Sequence, residues 1–338
     1  MNKSTNIFNE NQYFNFIDAL RFITISISFL HHSRIIHFVY GHTFFFVLSG
    51  FILTYQANNE IKKKGSFSWF NFTMRRMLRI FPLYFLIIGV SYVVIPLLTS
   101  QKITFAPIQY YLTFTSNYYS TNHIFVLTIL WAVAVQEQFY FFISFCYKFF
   151  NKYLLGIAFG MIVISLIYKL VAEYYSYNIY AHTLNHFSSF GIGIIAAKIF
   201  IRKSIIETTN RLHVLLVALS VLFLIFASKI NFTTWAIINN TIVSLIFAYI
   251  ILILCALKNS KQNNIVLLVF EKFGKFSFGL YCFQGLVITF GNILFIQYFK
   301  ISSAIMVSFL NFILLIIVAY ISYTIFEKRF LNYKKYFR

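Results

Sequence analysis

"FIDALRFITISISFLHHSR", residues Phe16 to Arg34, is a run suited to lipid that an arginine interrupts and two histidines close. A charge at the bilayer centre costs about 2.5–3.5 kcal/mol by insertion scales, so an intramembrane arginine faces a protein interior rather than lipid. The rest of the chain shares this apolar character. Of its 338 residues 60% are hydrophobic and 11% charged, against roughly 45–50% and about 25% in soluble domains. Apolar stretches of about 18 residues or more, each able to cross a ~30 Å hydrocarbon core, recur along its length. The expected fold is all-α: a polytopic transmembrane helical bundle of about ten spans, one membrane domain over residues 1–338. The spans are expected to start near Phe16, His42, Ile80, Ile124, Tyr153, Phe187, Leu212, Trp235, Phe276 and Ser303. The N-terminus lacks a basic region, short apolar core and small-residue cleavage site, so no cleavable signal peptide is expected.

The net charge of +20 is confined to short loops. Lys62, Lys63, Lys64, Arg75, Arg76 and Arg79 crowd one loop, whereas the next, Thr99 to His123, carries only Lys102. The alternation continues to Lys328, Arg329, Lys334, Lys335 and Arg338 after the last span. By the positive-inside rule both termini are cytoplasmic. The charge reads as topology signals and contact with anionic membrane lipids, not as a nucleic-acid site. Cys146, Cys255 and Cys282 are isolated in apolar runs and read as small core residues.

Arg21 and His32 are eleven residues apart, which at about 100° per residue falls within roughly 20° of whole turns. They share one helical face, about 16 Å apart along the axis, while His31 points about 80° away. That stacking fits a shared interior path, and equally an arginine snorkelling inward with a histidine at the headgroup boundary. Glu137, one of only eight carboxylates, lies in "LWAVAVQEQFYFF" beside Gln136 and Gln138. Counted back from Lys148 it sits about 16 Å deep, between Arg21 and His32. An intramembrane carboxylate is a functional candidate, or a structural partner for a buried arginine. Arg76 and Arg79, in "RRMLRIFPLY", share a face at i and i+3 shortly before Pro82. Guanidinium forks at that spacing suit phosphate groups, and plain anchoring at the cytoplasmic boundary is the simpler role.

These stretches together resemble the acyltransferase 3 family, multi-pass membrane acyltransferases that commonly O-acetylate bacterial surface glycans. "FIDALRFITISISFLHH" is similar to its arginine, ten residues, histidine signature. "GHTFFFVLSGFIL" resembles its Phe-Phe-x-x-Ser-Gly-Phe element at Phe45, Phe46, Ser49, Gly50 and Phe51. "RRMLRIFPLY" resembles the Arg-x-x-Arg element, "LWAVAVQEQFYF" the Trp-to-Glu-Gln-Phe-Tyr element, and "GKFSFGLYCFQG" and "TIFEKRF" the late motifs. The chain departs from the pattern at four places. Gln136–Glu137 replaces an acidic pair, so only Glu137 supplies a carboxylate there, and Thr43 replaces an aspartate. Gln284 stands where a histidine is usual, and Arg329 where a proline is.

The resemblance implies transfer of an acyl group, acetyl above all, from cytoplasmic acyl-CoA to a hydroxyl of a cell-surface or lipid-linked glycan, in the plasma or inner membrane. Partners would be acyl-CoA (acetyl-CoA), a carbohydrate acceptor and lipids, with no permanently bound cofactor. Arg76 and Arg79 would hold CoA phosphates and Arg21 would guide the donor deeper. His32 would remove the acceptor's proton, or form a transient acyl-imidazole. Glu137 would orient His32 or pair with Arg21, and depth favours the arginine. Trp131 would line the acceptor site, with Ser49, Gln136 and Gln284 as further lining residues.

Other readings fare less well. A metal site on His31, His32, His37 and His42 lacks a common ligand face. A serine hydrolase on Ser49 lacks the nucleophile-elbow glycines. A transporter exporting a small acid or glycan unit would use the same polar interior as its path, but the chain shows no internal repeat.

Overall fold

The apolar run that opens the chain forms helix α1 (Asn15–His32), and the chain turns at residues 33–40 into α2 (Gly41–Lys64). The computed structural model describes residues 15–98, 105–119, 125–202, 211–227, 233–256 and 265–337. The expected span start at Ile124 and the loop cations Lys102, Lys203, Lys229, Lys258, Lys261 and Arg338 lie outside the described residues.

Twelve further α-helices follow. They are α3 (Trp69–Leu98), α4 (Ile108–Leu112), α5 (Phe125–Thr128), α6 (Trp131–Phe149), α7 (Leu154–Tyr174) and α8 (Phe187–Ile201). After them come α9 (Arg211–Ala227), α10 (Thr233–Ala256), α11 (Ile265–Gly274), α12 (Ser277–Asn292), α13 (Ala304–Ser322) and α14 (Lys328–Asn332). No strand occurs among the described residues. Seven helical stretches, built on α3, α6, α7, α8, α10, α12 and α13, are long and apolar enough to cross a membrane. The other three expected spans fall on α9, whose apolar part Leu215–Ala227 is shorter, and on α1 and α2, which carry the polar residues of interest.

Most expected starts fall within a few residues of the observed ones, with two instructive differences. The third span starts at Trp69 rather than near Ile80, because Arg75, Arg76 and Arg79 continue the helix instead of preceding it. An additional helix, α11, runs before α12 and packs along α1. Local signals explain the ends that bear on the site. Gly65, at φ 72°, closes α2 by donating its N–H to the Ile61 carbonyl, a left-handed position that glycine takes without strain. Lys62, Lys63 and Lys64 fill the same last turn, where cations complement the helix dipole.

Helix α2 is the centre of the bundle, packed against α8, α10, α1 and α6. A Cβ on Gly50 would sit 2.3 Å from the Phe190 carbonyl oxygen, and one on Gly193 2.1 Å from that of Val47. Two glycines therefore let the α2 and α8 backbones touch, as small residues do in membrane bundles. Buried aromatic and aliphatic side chains fill the space on either side, with Phe139 stacked on Phe190 at 3.8 Å.

Candidate functional site

The polar residues of α1, α2, α3, α6 and α12 surround a series of cavities that share walls. At the end where α1 begins lies a basin of about 730 Å³. Seven cations line it, Arg21, Lys63, Arg75, Arg76, Arg79, Lys275 and Lys334, against three carboxylates, Asp18, Glu60 and Glu327. Arg21, Ile52, Arg76, Arg79 and Phe278 also line the next space, a throat of about 100 Å³. The throat in turn shares His42, Phe45 and Tyr281 with a chamber of about 40 Å³ bounded by His31, His32, Trp131 and Tyr180. Trp131 and Tyr180 are common to this chamber and an outer cavity of about 280 Å³. The series of spaces runs from a basic basin at the start of α1 to an aromatic cavity beyond the chamber at its end; α1 itself is about 27 Å long.

Arginine geometry sets the charge of the basin. Arg21 pairs with Asp18 at 2.8 Å. This corrects the expected Arg21–Glu137 pair: a carboxylate one helical turn back on α1 reaches the guanidinium first. Arg75 is held by Glu60 at 2.6 Å and donates to the Phe337 carbonyl at 2.6 Å. Arg76 donates to Gln56 Oε1 at 2.6 Å and lies between the rings of Phe72 and Tyr140, each 5.6 Å away. Arg79 lines both basin and throat and makes no hydrogen bond to a described residue.

The consecutive trio of α6 divides three ways, as side chains about 100° apart must. Gln136 faces the throat and donates to Ser49 Oγ at 3.1 Å, while Ser49 Oγ and the Tyr140 hydroxyl lie 3.1 Å apart. Gln138 is tied to the Phe114 carbonyl at 2.7 Å and Asn117 at 2.9 Å. Glu137 lies in a separate side cavity of about 330 Å³ together with Arg76, and its buried Oε1 has no hydrogen-bond partner. Glu137 and His32 share no cavity, so the expected orientation of His32 by Glu137 has no geometric basis. Gln284 is fully buried, donates to the Ile25 carbonyl at 3.5 Å and lines none of the five cavities.

His32 borders the chamber, as its stacking above Arg21 implies, but His31 borders it too. The turn after α1 brings the Phe38 amide to His31 Nδ1 at 3.3 Å, and the two imidazoles lie 5.4 Å apart. A helical projection omits this turn and so sends His31 elsewhere.

Sequence reasoning also missed Tyr180 and His186, and it weighed His42 only as a metal ligand. His42 stands where throat meets chamber, its ring 5.1 Å from those of Trp131 and His186. His186 is fully buried and bonds through Nε2 to the Tyr180 carbonyl at 2.8 Å. The only signal in the sequence was a histidine opening a span directly after the His31–His32 pair. Among the described residues no three His, Cys, Asp or Glu side chains group to hold a metal ion.

Tyr281, from "GKFSFGLYCFQG", reaches across from α12 and donates to the Ile129 carbonyl. It fixes the wall between throat and chamber. All the resemblance-bearing motifs thus meet on this path or pack behind it. No curated protein and no solved structure matches the chain. The family described as an acyltransferase domain, acyltransferase 3, matches residues 14–326, nearly the whole length, and the chain belongs to it.

Proposed function

We propose that the protein transfers an acyl group, acetyl in the simplest case, from cytoplasmic acyl-CoA to a hydroxyl of a glycan at the outer face of the plasma or inner membrane. The observation that carries the reading is the order of spaces: a wide cationic basin, a narrow throat, then a histidine chamber. A CoA thioester has that shape, a phosphate-rich head on a thin arm. The clustering of Lys62 to Lys64 and the C-terminal lysines at the basin end supports its facing the cytoplasm.

In this reading Arg79 and Arg76 grip phosphates and Arg21 holds the neck of the basin. The pantetheine arm threads the throat past Ser49 and Gln136. The acceptor oxygen attacks the thioester carbon at the chamber while His32 takes the hydroxyl proton. The carbon–sulfur bond then breaks and the departing thiolate takes that proton, leaving free CoA and the ester. Glu137 acts on Arg76 from the side cavity as a positioning residue.

A throat of about 100 Å³ and a chamber of about 40 Å³ suit a thin acyl arm better than passage of a whole sugar unit, which favours transfer over export. The test is thioester cleavage by the purified protein. His32→Ala should lower turnover by a factor of about 10²–10⁴ while acyl-CoA still binds. A well-folded His32→Ala protein with near-normal turnover would remove His32 from the chemistry. Acyl label retained on the protein after quenching would make His32 the nucleophile rather than the base.

A further inference from the structure

The outer cavity differs in kind from the basin. Its lining has five aromatic rings, and among the described residues none of the twelve that border it is Lys, Arg, Asp or Glu. Its polar groups are hydroxyls and amides, among them Asn117, Thr128 and Asn178, together with the imidazole of His182. Burial holds that imidazole below its ordinary pKa, which favours its uncharged form, and it stacks on Tyr168 at 4.6 Å. Tyr118 and Tyr180 are about half exposed at the rim. Trp131 and Tyr180, 5.1 Å apart, stand between this space and the chamber of His32.

We propose that the outer cavity is the acceptor subsite and that it takes an uncharged carbohydrate. One sugar ring lies against Trp131 and Tyr180 with a hydroxyl turned toward the histidine chamber. Three properties of the cavity carry this. Flat aromatic faces cover the apolar face of a sugar ring, and amides and hydroxyls exchange hydrogen bonds with its edge. The volume of about 280 Å³, near the lower end of the ~300–1,000 Å³ typical of ligand pockets, holds one sugar residue rather than a longer segment. Among the described residues an anionic sugar would meet no cation here to offset the water it loses, and an unpaired buried charge is strongly disfavoured. The inference rests on the acyl-transfer reading above.

The experiment uses the purified full chain in nanodiscs with acetyl-CoA. The acceptors are neutral methyl glycosides (glucose, galactose, mannose, N-acetylglucosamine and rhamnose) and anionic ones (glucuronate, galacturonate and sialate). Hydroxylamine serves as a small acceptor that needs no sugar subsite. At least one neutral glycoside should be acetylated with a higher kcat/KM than every anionic one. Trp131→Ala should raise the KM for that glycoside about tenfold, and Trp131→Phe should recover part of the loss. Asn178→Lys, on an exposed loop, should raise the anionic-to-neutral kcat/KM ratio about tenfold by supplying the missing cation; it decides the matter where Trp131→Ala does not fold. Preference for an anionic glycoside, or acetylation of hydroxylamine but of no glycoside, overturns the subsite proposal while leaving transfer intact. An unchanged KM in folded Trp131→Ala, or an unchanged ratio in Asn178→Lys, does the same. If the wild-type protein cleaves no thioester even with hydroxylamine, the transfer reading falls and this proposal falls with it.

Discussion

Arg76 and Arg79 look equivalent in "RRMLRIF" and are not equivalent in the fold. Arg76 already spends one nitrogen on Gln56 and is sandwiched by two rings, whereas Arg79 makes no hydrogen bond to a described residue at the junction of basin and throat. Arg79→Lys should therefore weaken acyl-CoA binding more than Arg76→Lys, because lysine keeps the charge and loses the bidentate fork. A lost charge-assisted contact costs about 1.5–3 kcal/mol, roughly a ten- to hundredfold rise in Kd. Glu137→Gln keeps the shape of the side chain and replaces the carboxyl that shares a cavity with Arg76, so its Kd should rise less and its turnover of bound donor should hold. Titration calorimetry with acetyl-CoA checks all three, and an unchanged Kd in Arg79→Lys would return that residue to plain topology signalling. What was legible at this scale was whatever one helix fixes: the shared face of Arg21 and His32 follows from period alone. The partner of Arg21 was not legible, because depth cannot rank a distant Glu137 against Asp18 on the same helix. His42 was hidden for a related reason, since its meeting with His32 depends on the turn at residues 33–40.

Among the helices, the contact of α2 with α8 holds Ser49 and His42 in place. Gly50 was visible in the sequence as part of a family-like element, but its reason was not, because only the fold shows the Phe190 carbonyl 2.3 Å from where a Cβ would stand. Gly50→Ala must push the two backbones apart, and overpacking of this kind costs about 1–3 kcal/mol. It should lower the yield of monodisperse protein and the melting temperature. Gly89→Ala, with nothing within 4 Å of the added carbon, should be neutral or slightly stabilising, since alanine favours the helix. Equal melting temperatures for the two variants would mean that α2 and α8 do not approach as closely as described. The positions of most helices could be read from apolar length alone. The extent of α3 could not, because its arginines look like a loop in a hydropathy reading and become a helical face once they have a basin to line.

Over the whole molecule, the uneven distribution of charge gives the protein a direction. The +20 excess gathers its site-bearing part around one pole, while the cavity at the opposite pole is aromatic and lined by no Lys, Arg, Asp or Glu among the described residues. Composition was enough to expect a multi-pass bundle, but the alignment of four cavities is a tertiary fact that no single helix carries. The central claim is that donor enters at one face and acceptor is modified at the other. Sealed proteoliposomes containing the purified protein, with acetyl-CoA trapped inside and a membrane-impermeant glycoside acceptor outside, test it directly. Acetylated glycoside should accumulate outside while free CoA accumulates inside, and His32→Ala should stop both although it still binds acetyl-CoA. Product formed only when donor and acceptor are placed in the same compartment would contradict a path through the bundle.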